Sequence, residues 1–209
     1  GEQEYELYER STQVPVVHSV SFGYKDIDTW HKAALGLVDG HIYSRNTNPT
    51  VRAFEDKVKE LENAEAATSF SSGMAAISNT LGTFLKSGDR IVSIKDSYGG
   101  TNVIFNEFLP PLNIDVCLCE THDEEQIKNE ILKGCKILYL ETPTNPTIKI
   151  TNIKKLSGYA KQVGALVVVD NTFASPINQN PLTLGADIVL HSASKYLGGH
   201  ADALGGVIC

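Results

Sequence analysis

Residues 165 to 170 read ALVVVD, an apolar run closed by a carboxylate. Unbroken apolarity, rather than alternation with polar residues, marks a strand covered on both faces, as in a parallel sheet flanked by helices. Runs of the same kind recur at AATSF (66–70), DRIVSI (89–94), IDVCLC (114–119), KILYLE (136–141) and DIVLHS (187–192), and LGGVIC closes the chain as a further strand. Between them lie GMAAISNTLGTFLKSGD, DEEQIKNEILKG and NIKKLSGYAKQVG, helical in period and closed by Gly88, Gly134 and Gly164 near their C-caps. The alternation predicts an α/β fold: a doubly wound, mainly parallel sheet with helices on both sides.

Outward from that core, residues 1–46 are polar and turn-rich and read as an arm, with the sheet domain taking 47–209. In TVRAFEDKVKELENA, Val51, Phe54, Val58 and Leu61 fall at helical spacing with charges on the other face. The 209 residues are 42% apolar and 21% charged, an ordinary globular composition able to bury a core. A net charge of −7 without any basic block argues against nucleic acid or an anionic membrane surface, which need a phosphate-neutralising field. Small molecules are the expected ligands. No run reaches the roughly 18 to 20 apolar residues of a spanning helix, and GEQEYELYER lacks the basic and apolar regions of a signal peptide, so a cytoplasmic protein is expected. Cys117, Cys119, Cys135 and Cys209 have neither disulfide-framework nor zinc spacing and read as buried or half-buried thiols. His18, His31, His41, His122, His191 and His200 show no metal-ligand spacing and take no catalytic role.

Ligands of such sheets bind beyond the carboxyl ends of the strands. After AATSF come Ser71, Ser72, Gly73 and Met74, small residues opening a helix whose free N–H groups and dipole suit a phosphate, unless Ser72 is only an N-cap. After DRIVSI comes Tyr98 before two glycines, a ring able to stack on a flat heterocycle or merely to cover the sheet edge. After KILYLE the loop TPTNPT, stiffened by prolines, presents Asn145, an amide for a ligand or for an Asx turn. Asp170, followed by Asn171 and Thr172, is a carboxylate at the end of a buried strand and needs a cation or donors; a protonated pyridine nitrogen would serve, as would a turn to cap. After DIVLH come Ser192, Ser194 and Lys195: two hydroxyls for a phosphate and an amine suited to bonding an aldehyde, if Lys195 is not simply a surface charge. A cradle, a ring, an amide, an acid and a lysine at successive strand ends form the inventory for pyridoxal 5′-phosphate.

The series YSRNTNPT, SSGMAAI, DSYGGTN, ETPTNPT, VVDNTFASP, PLTLGAD and HSASKYLGGHAD resembles the Cys/Met-metabolism family of pyridoxal-phosphate enzymes, from about Pro15 to the last residue. The resemblance implies the aspartate-aminotransferase-like sheet of fold type I. It makes Lys195 the lysine bonded to the cofactor, Asp170 the partner of the ring nitrogen and Tyr98 the stacking ring that assists proton movement. Gly73 and Met74 amides with Ser192 and Ser194 hydroxyls would bind the phosphate, Asn145 would lie by the ring 3-oxygen and substrate carboxylate, and Ser72 and Thr172 complete the cofactor contacts. Tyr43 and Arg45 would reach the phosphate of a neighbouring subunit, implying a homo-oligomer, a dimer of dimers.

The implied activity is trans-sulfuration on sulfur amino acids or an activated homoserine, in cysteine and methionine metabolism, by γ-elimination or γ-replacement. The cystathionine γ-lyase and γ-synthase types come first, with O-acetylhomoserine sulfhydrylase and methionine γ-lyase as alternatives. Gly100 stands where methionine γ-lyases carry cysteine, which favours the other branches. A cofactor- or nucleotide-binding α/β fragment without activity is the reading from another class, although no G-x-G-x-x-G follows the first strand. The family continues into a smaller C-terminal domain, so the resemblance also implies a fragment ending in an unpaired strand edge.

Overall fold

Each apolar run becomes a strand in the computed structural model, which describes residues 10–209; most of GEQEYELYER lies outside the described residues. The strands are β1 (Thr68–Phe70), β2 (Arg90–Ile94), β3 (Asp115–Cys119), β4 (Ile137–Glu141), β5 (Leu166–Asp170), β6 (Ile188–Ser192) and β7 (Gly206–Ile208). They form one sheet in the order β1-β7-β6-β5-β4-β2-β3. The neighbours from β6 through β5, β4 and β2 to β3 pair in parallel, while β7 runs antiparallel to both β1 and β6. One expectation is thereby overturned. The final strand is not an unpaired edge, because Val207 pairs with Ser69 on one side and His191 on the other.

The chain forms two compact units, residues up to Lys57 and Val58–Cys209. In the second, the unbroken runs are explained by cover on both faces. Ile127, Ile131, Ile153 and Leu156 pack one face of the sheet against Leu138, Leu140, Val167 and Val169. Ile77, Leu81 and Phe105 pack the other against Ile137, Tyr139, Val168 and Leu190. All five residues of β4 are buried, and each large aliphatic removed from water contributes roughly 1.5–3 kcal/mol. The covering helices are α3 (Gly73–Phe84), α5 (Glu124–Leu132) and α6 (Ile153–Gln162), with the short α4 (Gly99–Val103) running into a π-helical turn at Ile104–Phe108. Gly134 and Gly164 follow α5 and α6 with φ of 97° and 69°, the left-handed geometry that glycine adopts without a Cβ penalty.

The first unit holds more structure than its polar composition promised. Asp26 caps α1 (Ile27–Ala34) by accepting the Thr29 N–H at 2.7 Å, and Ser21 bridges Tyr43. Asn48 opens α2 (Pro49–Glu62), accepting the Thr50 N–H at 2.9 Å and donating to Val17 O at 3.0 Å. The apolar stripe read on α2, whose last residues from Val58 on belong to the second unit, is only partly buried: Val58 is enclosed, but Val51 and Leu61 are exposed while Glu62 is fully buried. Among the described residues no helix is long and apolar enough to cross a membrane. Cys119 is buried and the other three thiols are half-buried, all unpaired.

Candidate active site

Beyond the carboxyl ends of the strands, within the 58–209 unit, lies a cavity of about 210 Å³. It is lined by Ser72, Gly73, Met74, Tyr98, Asn145, Asp170, Thr172, Ser192, Ser194 and Lys195, with Ile77, Glu141, Pro143, Phe173 and Leu204. The sheet order explains the convergence. The chain steps outward from β2 to β3 and then restarts on the other side with β4, β5 and β6, and ligands gather at such a reversal.

Ser72 is the N-cap of α3, its hydroxyl accepting the Ala75 N–H at 3.1 Å. The Gly73 and Met74 amides lie in the first turn and have no intrahelical acceptor, so they remain available at the positive end of the helix. Both readings of SSGM therefore hold together. Gly73 also sits against β6: a Cβ there would lie 2.7 Å from Ser192 Cβ and 2.9 Å from its Oγ. Any side chain at 73 would fill the space between the helix start and the serine.

Asp170 is 6% exposed. Its Oδ1 accepts both the Thr172 N–H at 3.0 Å and the Thr172 hydroxyl at 2.5 Å. Oδ2 is left without a hydrogen-bond donor among the described residues. Burial pushes the Asp170 carboxyl above its ordinary range against the pull of the Thr172 bonds. A carboxylate so placed has one oxygen to offer a cationic ligand. Thr172 Oγ1 in turn accepts the Ser192 N–H at 2.9 Å, linking the ends of β5 and β6.

Lys195 is an exposed residue that lines the same cavity, its N–H donating to Ser192 O at 3.1 Å. Ser194 is engaged with the approach to β7: its hydroxyl accepts the Gly205 N–H at 3.0 Å and donates to Gly205 O at 3.3 Å. Tyr98 stands at the N-cap of α4, 45% exposed. A Cβ on Gly100 would come within 2.7 Å of Met74 Sδ and 2.8 Å of Tyr98 Cε1, so the bare glycine lets that ring and thioether close up.

Sequence reasoning missed Glu141. It closes β4 fully inside the fold, accepting the Tyr98 N–H through Oε2 and the Asn145 N–H through Oε1, both at 2.8 Å. One carboxylate thus fastens the two loops that carry the ring and the amide. Burial, with the Asp170 carboxylate beside it, pushes Glu141 up to about 7. Phe173, Pro143 and Leu204 also line the cavity without having been anticipated. Tyr43 and Arg45 belong to the other unit, where the Arg45 guanidinium lies over the Tyr43 ring, 5.0 Å from its centroid. Among the described residues no group of three or more histidines, cysteines or acids is placed to hold a metal.

The residues present fit pyridoxal 5′-phosphate: a spare carboxylate oxygen, free helix-start amides packed against a serine, a lysine and an aromatic ring around one cavity. Comparison with known proteins agrees. The family model for Cys/Met metabolism PLP-dependent enzymes matches residues 1–209. A cystathionine gamma-lyase of Bacillus subtilis (strain 168) is 46% identical over 190 residues, 91% of this chain and 50% of that protein. The crystal structure of metB from Corynebacterium glutamicum superposes with a TM-score of 0.88 at 39% identity, covering 96% of this chain and 50% of that one. A Campylobacter jejuni protein described as an O-acetylhomoserine (thiol)-lyase (metY), whose structure contains N'-pyridoxyl-lysine-5'-monophosphate, superposes with a TM-score of 0.89 at 30% identity, covering 96% and 49%. The chain spans about half the length of the curated relatives it matches. With the family model matched from end to end and a relative 46% identical over 91% of this chain, the chain belongs to the Cys/Met-metabolism family of PLP-dependent enzymes.

Proposed function

We propose that the protein is a trans-sulfuration enzyme acting on sulfur amino acids or activated homoserine by γ-elimination or γ-replacement, of the cystathionine γ-lyase or γ-synthase type. The observation that carries this reading is the gathering of Lys195, Asp170, Tyr98, Gly73 and Ser192 around one cavity in a chain of this family. Lys195 would hold the cofactor covalently. The Gly73 and Met74 amides with the Ser192 and Ser194 hydroxyls would hold its phosphate, Tyr98 would stack on its ring, and Asn145 would hydrogen-bond its 3-oxygen and the substrate carboxylate. Ser72 and Thr172 complete the cradle by fixing the α3 start and the Asp170 carboxylate.

When bound, the cofactor supplies an electron sink that weakens the substrate Cα–H bond. Asp170 would keep a proton on the ring nitrogen. Lys195 Nζ moves the proton at Cα, and a proton transfer positioned in this way contributes on the order of 10² to 10⁴ in rate. On a substrate carrying a leaving group at Cγ these residues would serve either outcome, elimination where water completes the reaction and replacement where a thiol does. Residues 1–46 would form an arm bringing Tyr43 and Arg45 to a neighbouring subunit in a homotetramer, with the guanidinium suited to a phosphate. A cytoplasmic location accompanies this reading.

Product analysis on the full-length protein tests it: cystathionine alone, then O-acetylhomoserine with cysteine or sulfide. Cysteine and a 2-oxo acid from the first, or cystathionine or homocysteine from the second, are expected. Absence of all of them in a cofactor-loaded protein would remove the trans-sulfuration assignment.

A further inference from the structure

Glu141 and Asp170 are register partners at the ends of the parallel strands β4 and β5. Their side chains therefore share one sheet face, separated by a strand spacing of about 4.8 Å. Both are more than nine-tenths buried, at 4% and 6% exposure. Each is surrounded by neutral donors: the Tyr98 and Asn145 amides for Glu141, and the Thr172 amide and hydroxyl for Asp170, with the Tyr139 hydroxyl close enough to favour the ionised form of Asp170. The titratable groups around the pair are Tyr139 from β4 itself, Tyr98 from the start of α4, Lys195, which lines the same cavity, and His191 from the next strand. The Tyr139 hydroxyl is buried without a hydrogen-bond partner, as is Thr101 Oγ1. Two like charges this close in a water-poor site disfavour joint ionisation.

We propose that Glu141 and Asp170 share one proton in the cofactor-free site, and that the proton is released when a cationic pyridine ring settles against Asp170. Glu141 is then a positioning residue. Once fully ionised, its carboxylate accepts more strongly from the Tyr98 and Asn145 amides and draws both loops toward the occupied cavity. Coupled carboxylates titrate as a pair, and the raised Glu141 places the shared proton within the neutral range. The inference rests on the reading of Asp170 as the ring-nitrogen partner.

The test is calorimetric titration of cofactor-free full-length protein with 4′-deoxypyridoxine 5′-phosphate, which has the ring and phosphate but no aldehyde to bond Lys195. Titrations in buffers of different ionisation enthalpy count the protons exchanged. Near pH 6 the wild-type protein should release about half a proton or more beyond what Glu141→Gln releases, because the analogue's phosphate, with a second pKa near 6, contributes alike to both. Equal release from the two proteins overturns the proposal. A second measurement needs no ligand: the Glu141 carboxyl carbon, followed by NMR in cofactor-free protein, should titrate near 7 and shift downward in Asp170→Asn. An unchanged midpoint in Asp170→Asn also overturns it. Failure of the wild-type protein to bind the analogue would instead count against the cofactor-site reading, while the NMR titration still reports on the pair.

Discussion

His191 Nε2 lies 2.6 Å from Glu62 Oε1, and both side chains are sealed from solvent. Glu62, the last residue of α2, also accepts the Asn171 amide at 2.9 Å. Its carboxylate thus grips β5 one residue beyond Asp170 and β6 one residue before Ser192. Removing one partner of a buried pair strands the other. Glu62→Ala should lower unfolding stability by about 1–3 kcal/mol, the cost of leaving buried hydrogen-bonding groups unsatisfied, measured by urea titration. A loss below about 1 kcal/mol would show that the pair does not brace the strand ends.

The contact between Gly73 and Ser192 gives a second expectation. A methyl at 73 would press on Ser192 Cα at 2.9 Å, which is backbone and cannot swing away. Gly73→Ala should weaken cofactor binding at least about tenfold, or about 1.4 kcal/mol, in absorbance titrations of the cofactor-free protein. Unchanged affinity would mean that the α3 start does not face the phosphate.

At the β2–β3 edge, Glu130 meets Lys133 at 2.5 Å and Arg90 at 2.6 Å. The Lys133 bond first, and the Arg90 bond second, pull Glu130 from 4.5 down to about 2. A depressed carboxylate contributes stability that is present above its unfolded value and lost as pH falls through its folded one. Between pH 4.5 and about 2 the wild-type melting temperature should therefore fall more steeply than that of Glu130→Gln. Parallel curves would contradict this.

Subunit sharing is tested by mixing Tyr43→Phe with Lys195→Ala, each of which is expected to lose most of its activity by itself. If Tyr43 serves a neighbour's cavity, the hybrids carry one intact site, and activity should return to about a quarter of wild type for random pairing in a two-fold dimer. No recovery on mixing would confine Tyr43 to its own subunit.

Much of this was legible in the chain because local signals carried it. ALVVVD and KILYLE are apolar throughout, since both faces of β4 and β5 are covered, and the carboxyl-end rule then pointed to Asp170 and Lys195. Strand order was not legible. Placing β7 between β1 and β6 depends on antiparallel pairing with Thr68–Phe70, far away in sequence. The short α4 was hidden by Gly99 and Gly100, poor helix formers. Glu62 reads as one more charge on an amphipathic helix, and only the fold reveals His191 above it. Glu141 did leave a signal: a carboxylate closing an otherwise apolar strand, the same cue that singled out Asp170.

The most direct test is borohydride reduction of the full-length protein purified with its cofactor, followed by peptide mass mapping. The account predicts a yellow protein whose absorbance shifts on reduction, with a pyridoxyl-phosphate adduct on the peptide bearing Lys195. A colourless protein, or an adduct on any other lysine, would contradict it.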